Sequence, residues 1–157
     1  MKEIEENKSV FATLSRIDVS GRTEKIGQLT YLSWAWAWGF IKENYPDATY
    51  TIYKDARGHF YHNDGRTAWV ETGLTINGLE HIEMPPVMDN RHNSIPLERI
   101  TSRNVNDTIQ RSLTKAAARH GLGLNVYAGE DLLMFREDGQ ETGSRAASSD
   151  KPIIDTT

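Results

Sequence analysis

Not one of the 157 residues is a cysteine, so disulfides, thiol chemistry and cysteine-ligated zinc are excluded. No apolar run approaches the roughly 18 residues that a membrane span needs. The opening MKEIEENKSV is polar and acidic. Without the basic region and apolar stretch of a secretory leader it fits a cytoplasmic protein. There is no G-x-x-x-x-G-K-[ST] loop to cradle nucleotide phosphates, which argues against an ATP-driven helicase or strand-exchange protein. The patterns G-x-S-x-G, H-E-x-x-H and G-x-G-x-x-G are absent as well. His59 and His62 form a close pair beside Asp64, but strand positions three apart point to opposite faces, a poor metal geometry. Asp89, Glu130 and Asp131 offer carboxylates for a metal-dependent nuclease. Nothing in their spacing demands it, and solvated loops explain them more simply. No catalytic residue, cofactor or metal is expected.

The charge is small in total and uneven in place. The net formal charge is −4, which alone argues weakly against a nucleic-acid binder. Residues 137–157 carry five acids against two bases, and residues 1–8 three against two, so the body between them is neutral. Within that body, residues 90–125 hold six bases (Arg91, Arg99, Arg103, Arg111, Lys115 and Arg119) against Glu98 and Asp107. A basic segment is set inside a chain with acidic ends.

That segment contains a long helix pattern. Val105, Ile109, Leu113 and Ala116 recur at helical intervals and face a core. Arg111, Lys115 and Arg119 recur every fourth residue, about 200° around the helix from that stripe. Gly121 stands where a helix end takes a left-handed residue. The helix is expected from about Asn104 to His120, capped by Ser102 or Asn104. Residues 122–127 then give an edge strand or a packed extension.

The remaining pattern is that of an α+β domain. Val10 to Ile17 suggests a short helix capped by Ser9, and residues 18–28 a loop. Trp34 to about Asn44 is expected to be a helix, with Ser33 as N-cap and Pro46 just past its end. Trp34, Trp38, Ile41 and Tyr45 share one side of it, and Trp36 and Phe40 form a second stripe. A helix apolar on two sides is buried on two sides, so Trp34, Trp36, Trp38 and Phe40 are assigned to core or subunit packing. Strands are expected at 49–54, 59–62 and 67–76, the last with Ala68, Val70, Leu74 and Ile76 on one face. The dipeptide Asn77-Gly78 joins it to a strand over 79–84, the strongest hairpin signal present. Pro85-Pro86 ends the sheet, and residues 88–102 form a polar loop. The fold expected is an antiparallel sheet of three or four strands packed on a long helix in the C-terminal half, with a shorter Trp-rich helix before the sheet. The domain spans 9–136. Residues 137–157, poor in apolar side chains, read as a disordered acidic tail.

Three stretches together resemble a known family: LTYLSWAWAWG (29–39), PPVMDNRHNSI (85–95) and NDTIQRSLTKAAARHGLGLNVYAGEDL (106–132). The chain is similar to the Sak-type single-strand annealing proteins of bacteriophages. These belong to the superfamily of the eukaryotic annealing protein of double-strand break repair. The resemblance covers residues 10–133 and is most specific at the helix ending in K-A-x-A-x-x-G-x-x-L. It implies antiparallel strands packed on a long helix, and assembly into rings or helical filaments. It also implies a positively charged groove that holds single-stranded DNA and pairs it with its complement without ATP. Basic helix residues near the glycine turn line that groove. Lys115 matches best, Arg111 lies one turn before it, and Arg119 lacks a firm counterpart. Thr114 stands where the wider superfamily often has a second base, which leaves this site less basic.

Physical chemistry points the same way. Binding single strands without regard to sequence takes a row of bases tracking phosphates, with aromatic faces for the nucleobases. Arg111, Lys115 and Arg119 give one row. Lys54, Arg57 and Arg66 flank the first hairpins, among Tyr53, Phe60, Tyr61 and Trp69, and Arg91, His92, Arg99 and Arg103 surround the loop before the long helix. The function expected is ATP-independent binding and annealing of single-stranded DNA in phage homologous recombination, in the cytoplasm of the bacterial host, by a homo-oligomer. The tail is a candidate contact for a single-strand-binding protein. The competing readings are a phage scaffold or adaptor with no DNA role, and the carboxylate-dependent nuclease.

Overall fold

The computed structural model describes residues 9–27 and 29–128. The chain divides at residue 127, with Met1–Tyr127 as one unit and Ala128–Thr157 as the other. The expected boundary at 136, the tail, Glu130 and Asp131 lie outside the described residues.

Helix α1, Val10–Leu14, starts at Ser9, whose hydroxyl accepts from the Ala12 amide at 2.8 Å. Leu14 is fully buried. The region expected as a loop after it holds a hairpin instead. Strand β1, Thr23–Ile26, pairs antiparallel with β2, Leu29–Leu32, in the register Thr23↔Leu32 to Ile26↔Leu29. Polar Thr-Glu-Lys hides the strand period there. The turn is marked only by Gly27, with φ +60°. A side chain at Gly27 would strike Asn90, so the hairpin tip sits against the 88–102 loop.

Helix α2, Trp34–Asn44, has the expected bounds, and the Ser33 hydroxyl accepts from the Trp36 amide at 3.3 Å. It buries Ala37 and Ile41. The main sheet is three-stranded, in the order β3-β6-β7, with β3 at Thr49–Tyr53, β6 at Glu71–Ile76 and β7 at Leu79–Glu83. The β6–β7 turn has φ +52° at Asn77 and +83° at Gly78. Positive φ at both central residues is the type I′ arrangement whose twist suits a two-residue hairpin.

Two strand expectations are corrected. The second strand is not 59–62 but β4, His62–Asn63, which pairs with β5, Ala68–Trp69. The long strand over 67–76 is broken at Val70, whose amide turns to the Pro85 carbonyl at 3.2 Å, while Val87 N–H donates to the Ala68 carbonyl at 2.9 Å. The alternation survives the break: Ala68, Val70, Leu74 and Ile76 are all buried.

On the opposite face of the sheet Gly73 leaves a gap. The Glu80 side chain fills it and accepts a 2.5 Å hydrogen bond from the Tyr53 hydroxyl. That bond is the main reason the Tyr53 phenol titrates above its usual range.

A 3-10 turn at Leu97–Arg99 leads into α3, Ser102–Arg119. Its N-cap is Thr101, not Ser102 or Asn104. The Thr101 hydroxyl accepts from the Asn104 amide at 3.1 Å, and the Asn104 side chain accepts from the Thr101 amide at 2.9 Å. That is a capping box with Asn in the place of the usual Glu or Gln. At the other end the amide of Gly121 bonds to the Ala118 carbonyl and that of Leu122 to the Ala117 carbonyl. With Gly121 at φ +118°, this is the paired closure of a Schellman motif. It turns residues 122–127 back as a packed extension, not an edge strand.

The core has two centres. Leu14, Leu32, Ile41, Leu74, Ile76 and Leu122 fill one, between α1, β2, α2, β6 and α3. Ala68, Val70, Val87 and Ile109 fill the other, with Val105 and Leu113 packed on it. Large side chains buried at this level contribute about 1.5–3 kcal/mol each. The four positions of the α3 stripe therefore face the core as their spacing predicts. No helix among the described residues is long and apolar enough to cross a membrane.

Candidate nucleic-acid interface

The basic stripe of α3 does not lie uniformly in solvent. Arg111 is only 5% exposed. Its guanidinium carbon lies 5.8 Å from the ring centre of Tyr127 and 6.0 Å from that of Tyr31. Half-buried Lys115 reaches the same Tyr127 ring, Nζ to centroid 5.5 Å. Cations held over ring faces at such distances are attracted by the ring quadrupole.

The rings are there because of two reversals. The glycine turn after α3 brings Tyr127 back along the helix, and β2 carries Tyr31 over it. A chain of hydrogen bonds fixes Tyr127. The Leu32 amide donates to the Tyr127 oxygen at 3.3 Å, Tyr127 donates to Thr114 at 2.5 Å, and Thr114 donates to the Arg111 carbonyl at 2.9 Å. Every member is buried and satisfied, the condition under which such a network stabilises. Thr114 is thus an interior position, and a base there would displace this network.

Arg119 points elsewhere. It forms an ion pair with Glu83 at the end of β7, Arg119 being 63% exposed and Glu83 9% in their side chains. Close by, Ser112 accepts from Thr72 at 2.6 Å and donates to the Glu83 carbonyl at 3.4 Å. His120, also buried, bonds through Nε2 to the Leu74 carbonyl at 2.7 Å and meets the His81 ring edge-on at 4.4 Å. Burial first, and His81 after it, lower the His120 pKa below 6.5 against the opposing carbonyl bond.

The loop bases are exposed, each on a braced turn. Asp55 accepts from the amides of His59 at 2.8 Å and Arg57 at 2.9 Å. Lys54 lies over Phe60, which is 46% exposed, at 5.1 Å. His59 and Tyr61 stack at 5.2 Å. Asp64 braces the turn carrying Arg66, whose carbonyl accepts from the Leu97 amide at 2.8 Å. That bond ties the Arg66 turn to the segment leading into Arg99 and Arg103. Asp89 accepts from the amides of Arg91 at 2.9 Å and Asn93 at 3.0 Å. These amides, Asn93 first, hold its carboxyl below the usual range. A carboxylate committed to its own turn in this way is a bracing group, as its loop position suggests. Among the described residues no three acidic or histidine side chains are placed to hold a metal ion.

The Trp-rich helix divides its rings. Trp36 stacks on Phe40 at 5.3 Å and carries Arg22 over its face at 5.3 Å. Trp38 meets Tyr50 edge-on at 5.2 Å. Trp34 is 53% exposed and rims an open cavity of about 190 Å³ between α2, β3 and α3. Sequence reasoning missed Tyr31, Tyr127 and Arg22. An aromatic residue three to five places past the glycine turn was the available sign for Tyr127; for Tyr31 and Arg22 there was none.

No curated protein and no solved structure matches the chain. One family does, described as "Sak Single Strand Annealing Protein", over residues 8–153. A match across nearly the whole length, joined to a basic and aromatic cluster on the long helix, places this chain in the Sak single-strand annealing protein family.

Proposed function

We propose that this chain binds single-stranded DNA and anneals complementary strands without ATP, in phage homologous recombination inside the bacterial host. The observation that carries the reading is the cluster of Arg111, Lys115, Tyr31 and Tyr127 on a chain of this family. Phosphates meet Lys115, the more accessible of the two helix bases. Arg111, beneath the tyrosines, adds positive potential in a poorly screened setting, where it acts further than a surface charge. Arg103, in the first turn of α3, and Arg91, Arg66, Arg57 and Lys54, on the exposed loops, extend the basic track. Arg119 contributes least, its charge being offset by Glu83.

Annealing needs no catalytic residue. The protein holds one strand by its backbone, keeps the bases free, and duplex formation supplies the driving free energy. Subunits assemble as a ring or helical filament, with the Trp-rich helix and the sheet edges as contact surfaces. Residues 9–136 form the annealing domain, and the acidic tail contacts a single-strand-binding protein. Mixing labelled complementary oligonucleotides with the purified protein, with no nucleotide present, tests the function. Pairing should run well ahead of the protein-free rate; an unchanged rate overturns the reading. A nuclease would instead shorten the strands in magnesium, and a scaffold would retain no labelled DNA on a filter.

A further inference from the structure

The two edges of the main sheet are complementary. Strands β3 and β7 lie at opposite edges and pair with no further named strand among the described residues. The register puts Tyr50 opposite Leu74 and Leu74 opposite His81, so these three share a face, and Leu79 shares it two residues before His81. At the β3 edge that face opens into the cavity of about 190 Å³, walled by Trp34, Trp38, Ile41, Tyr50 and Leu113. At the β7 edge the same face carries Leu79, 58% exposed. An apolar cavity of roughly 150 Å³ takes a benzene ring, so this one has room for a leucine side chain. The edges also differ in charge: residues 79–84 hold Glu80 and Glu83, the latter paired with Arg119 of α3, and no Lys or Arg of their own, whereas 49–54 hold Lys54 and no acid.

We infer that the cavity receives Leu79 of a second copy of this chain, whose β7 adds alongside β3. This rests on the oligomeric part of the proposed function and is independent of its DNA part. β3 and β7 run parallel within one sheet, both being antiparallel to β6. A copy placed in the same orientation therefore adds as a parallel strand and keeps its face. With Tyr50 beside Leu79, Lys54 falls level with Glu83 of the next sheet. The contact is head-to-tail: it joins unlike edges and leaves each new copy one free edge. Repetition gives a closed ring or a helical filament, according to whether the rotation closes.

The lack of native cysteine allows a clean test. Tyr50→Cys and Leu79→Cys are combined in one full-length chain and oxidised. Within a chain the two sites are two strand spacings apart, about 9.5 Å, and also two residues, about 7 Å, out of level along the strands, beyond the roughly 7 Å between Cα atoms that a disulfide can bridge. Between neighbouring copies they meet. The expected result is a ladder of cross-linked species running past the dimer on a denaturing gel, collapsed by reductant, with neither single variant giving one. Dimers from Leu79→Cys alone would mean like edges pair and overturn the inference. So would a double variant that oxidises without a ladder while light scattering still reports an assembly. As a second variant, Leu79→Glu alters an exposed position and should fold normally but scatter as a monomer; assembly equal to the parent's also overturns the inference. Annealing by the reduced double variant is scored separately, so failure of the interface and failure of the DNA reading are told apart.

Discussion

The ammonium of Lys115 and the ring of Tyr127 lie 5.5 Å apart across the glycine turn that ends α3. Tyr127 is at once the lid on two cations and the partner of Thr114 and Leu32. The two roles separate by substitution. Tyr127→Phe keeps the ring and removes the hydroxyl, and should cost about 1 kcal/mol in urea unfolding. Tyr127→Ala removes both and should cost about 3–5 kcal/mol. Equal losses would mean that the ring contributes nothing.

Lys115→Ala should weaken binding to all single strands alike. The slope of log affinity on log salt should flatten by about 0.7, the value for one phosphate contact. Fluorescence anisotropy across a salt series reads both. An unaltered slope removes Lys115 from the phosphate track.

The Glu83–Arg119 pair is lopsided, since the acid is buried and the base is mostly in water. Arg119→Ala strands a buried carboxylate and should cost about 1–3 kcal/mol. Glu83→Gln leaves a guanidinium that water can solvate and should cost less. The same Gln variant releases positive charge on α3, so its DNA affinity should rise while that of Arg119→Ala hardly changes. Denaturant titration and anisotropy check the two orderings.

His120 gives the fold a pH dependence. Its folded pKa is depressed below 6.5, so between the two values the unfolded chain binds more proton than the folded one. Its contribution is therefore intact above about pH 6.5 and is lost as the pH falls through the depressed folded value. The midpoint of urea unfolding should drop on that side of neutrality. His120→Gln, which can still donate to the Leu74 carbonyl, should flatten the drop.

Gly78→Ala should cost about 1–2 kcal/mol, because a side chain at φ +83° is strained. Binding to DNA should follow the loss of folded protein and no more. A larger loss of binding would place the hairpin tip in the interface.

The legible parts of the sequence were those fixed by neighbours along the chain. Ser33, the alanines between the tryptophans and Pro46 bound α2, although the Trp alternation alone would suggest a strand. Asn77-Gly78 sets a turn by φ alone, and the glycine after α3 closes it by local bonds. The α3 stripe identified its core side, and the motif at its end identified the family. What stayed hidden depends on distant partners. Arg111 looks like a solvated base until β2 and the returning chain cover it; the bond from the Leu32 amide to the Tyr127 hydroxyl spans 95 positions. The strand over 67–76 breaks because Pro85 takes the Val70 amide, which no period in that strand reveals. Pairing of β1 with β2 came through a polar segment with one weak turn signal.

Gly73 changes how the sheet carries load. A side chain there would collide with Glu80, so the missing one is what lets Tyr53 and Glu80 clasp hands over β6. The two outer strands are thereby linked by a strut that bypasses the backbone ladder between them. A shift of one rim strand is therefore passed to the other through side chains as well as through β6.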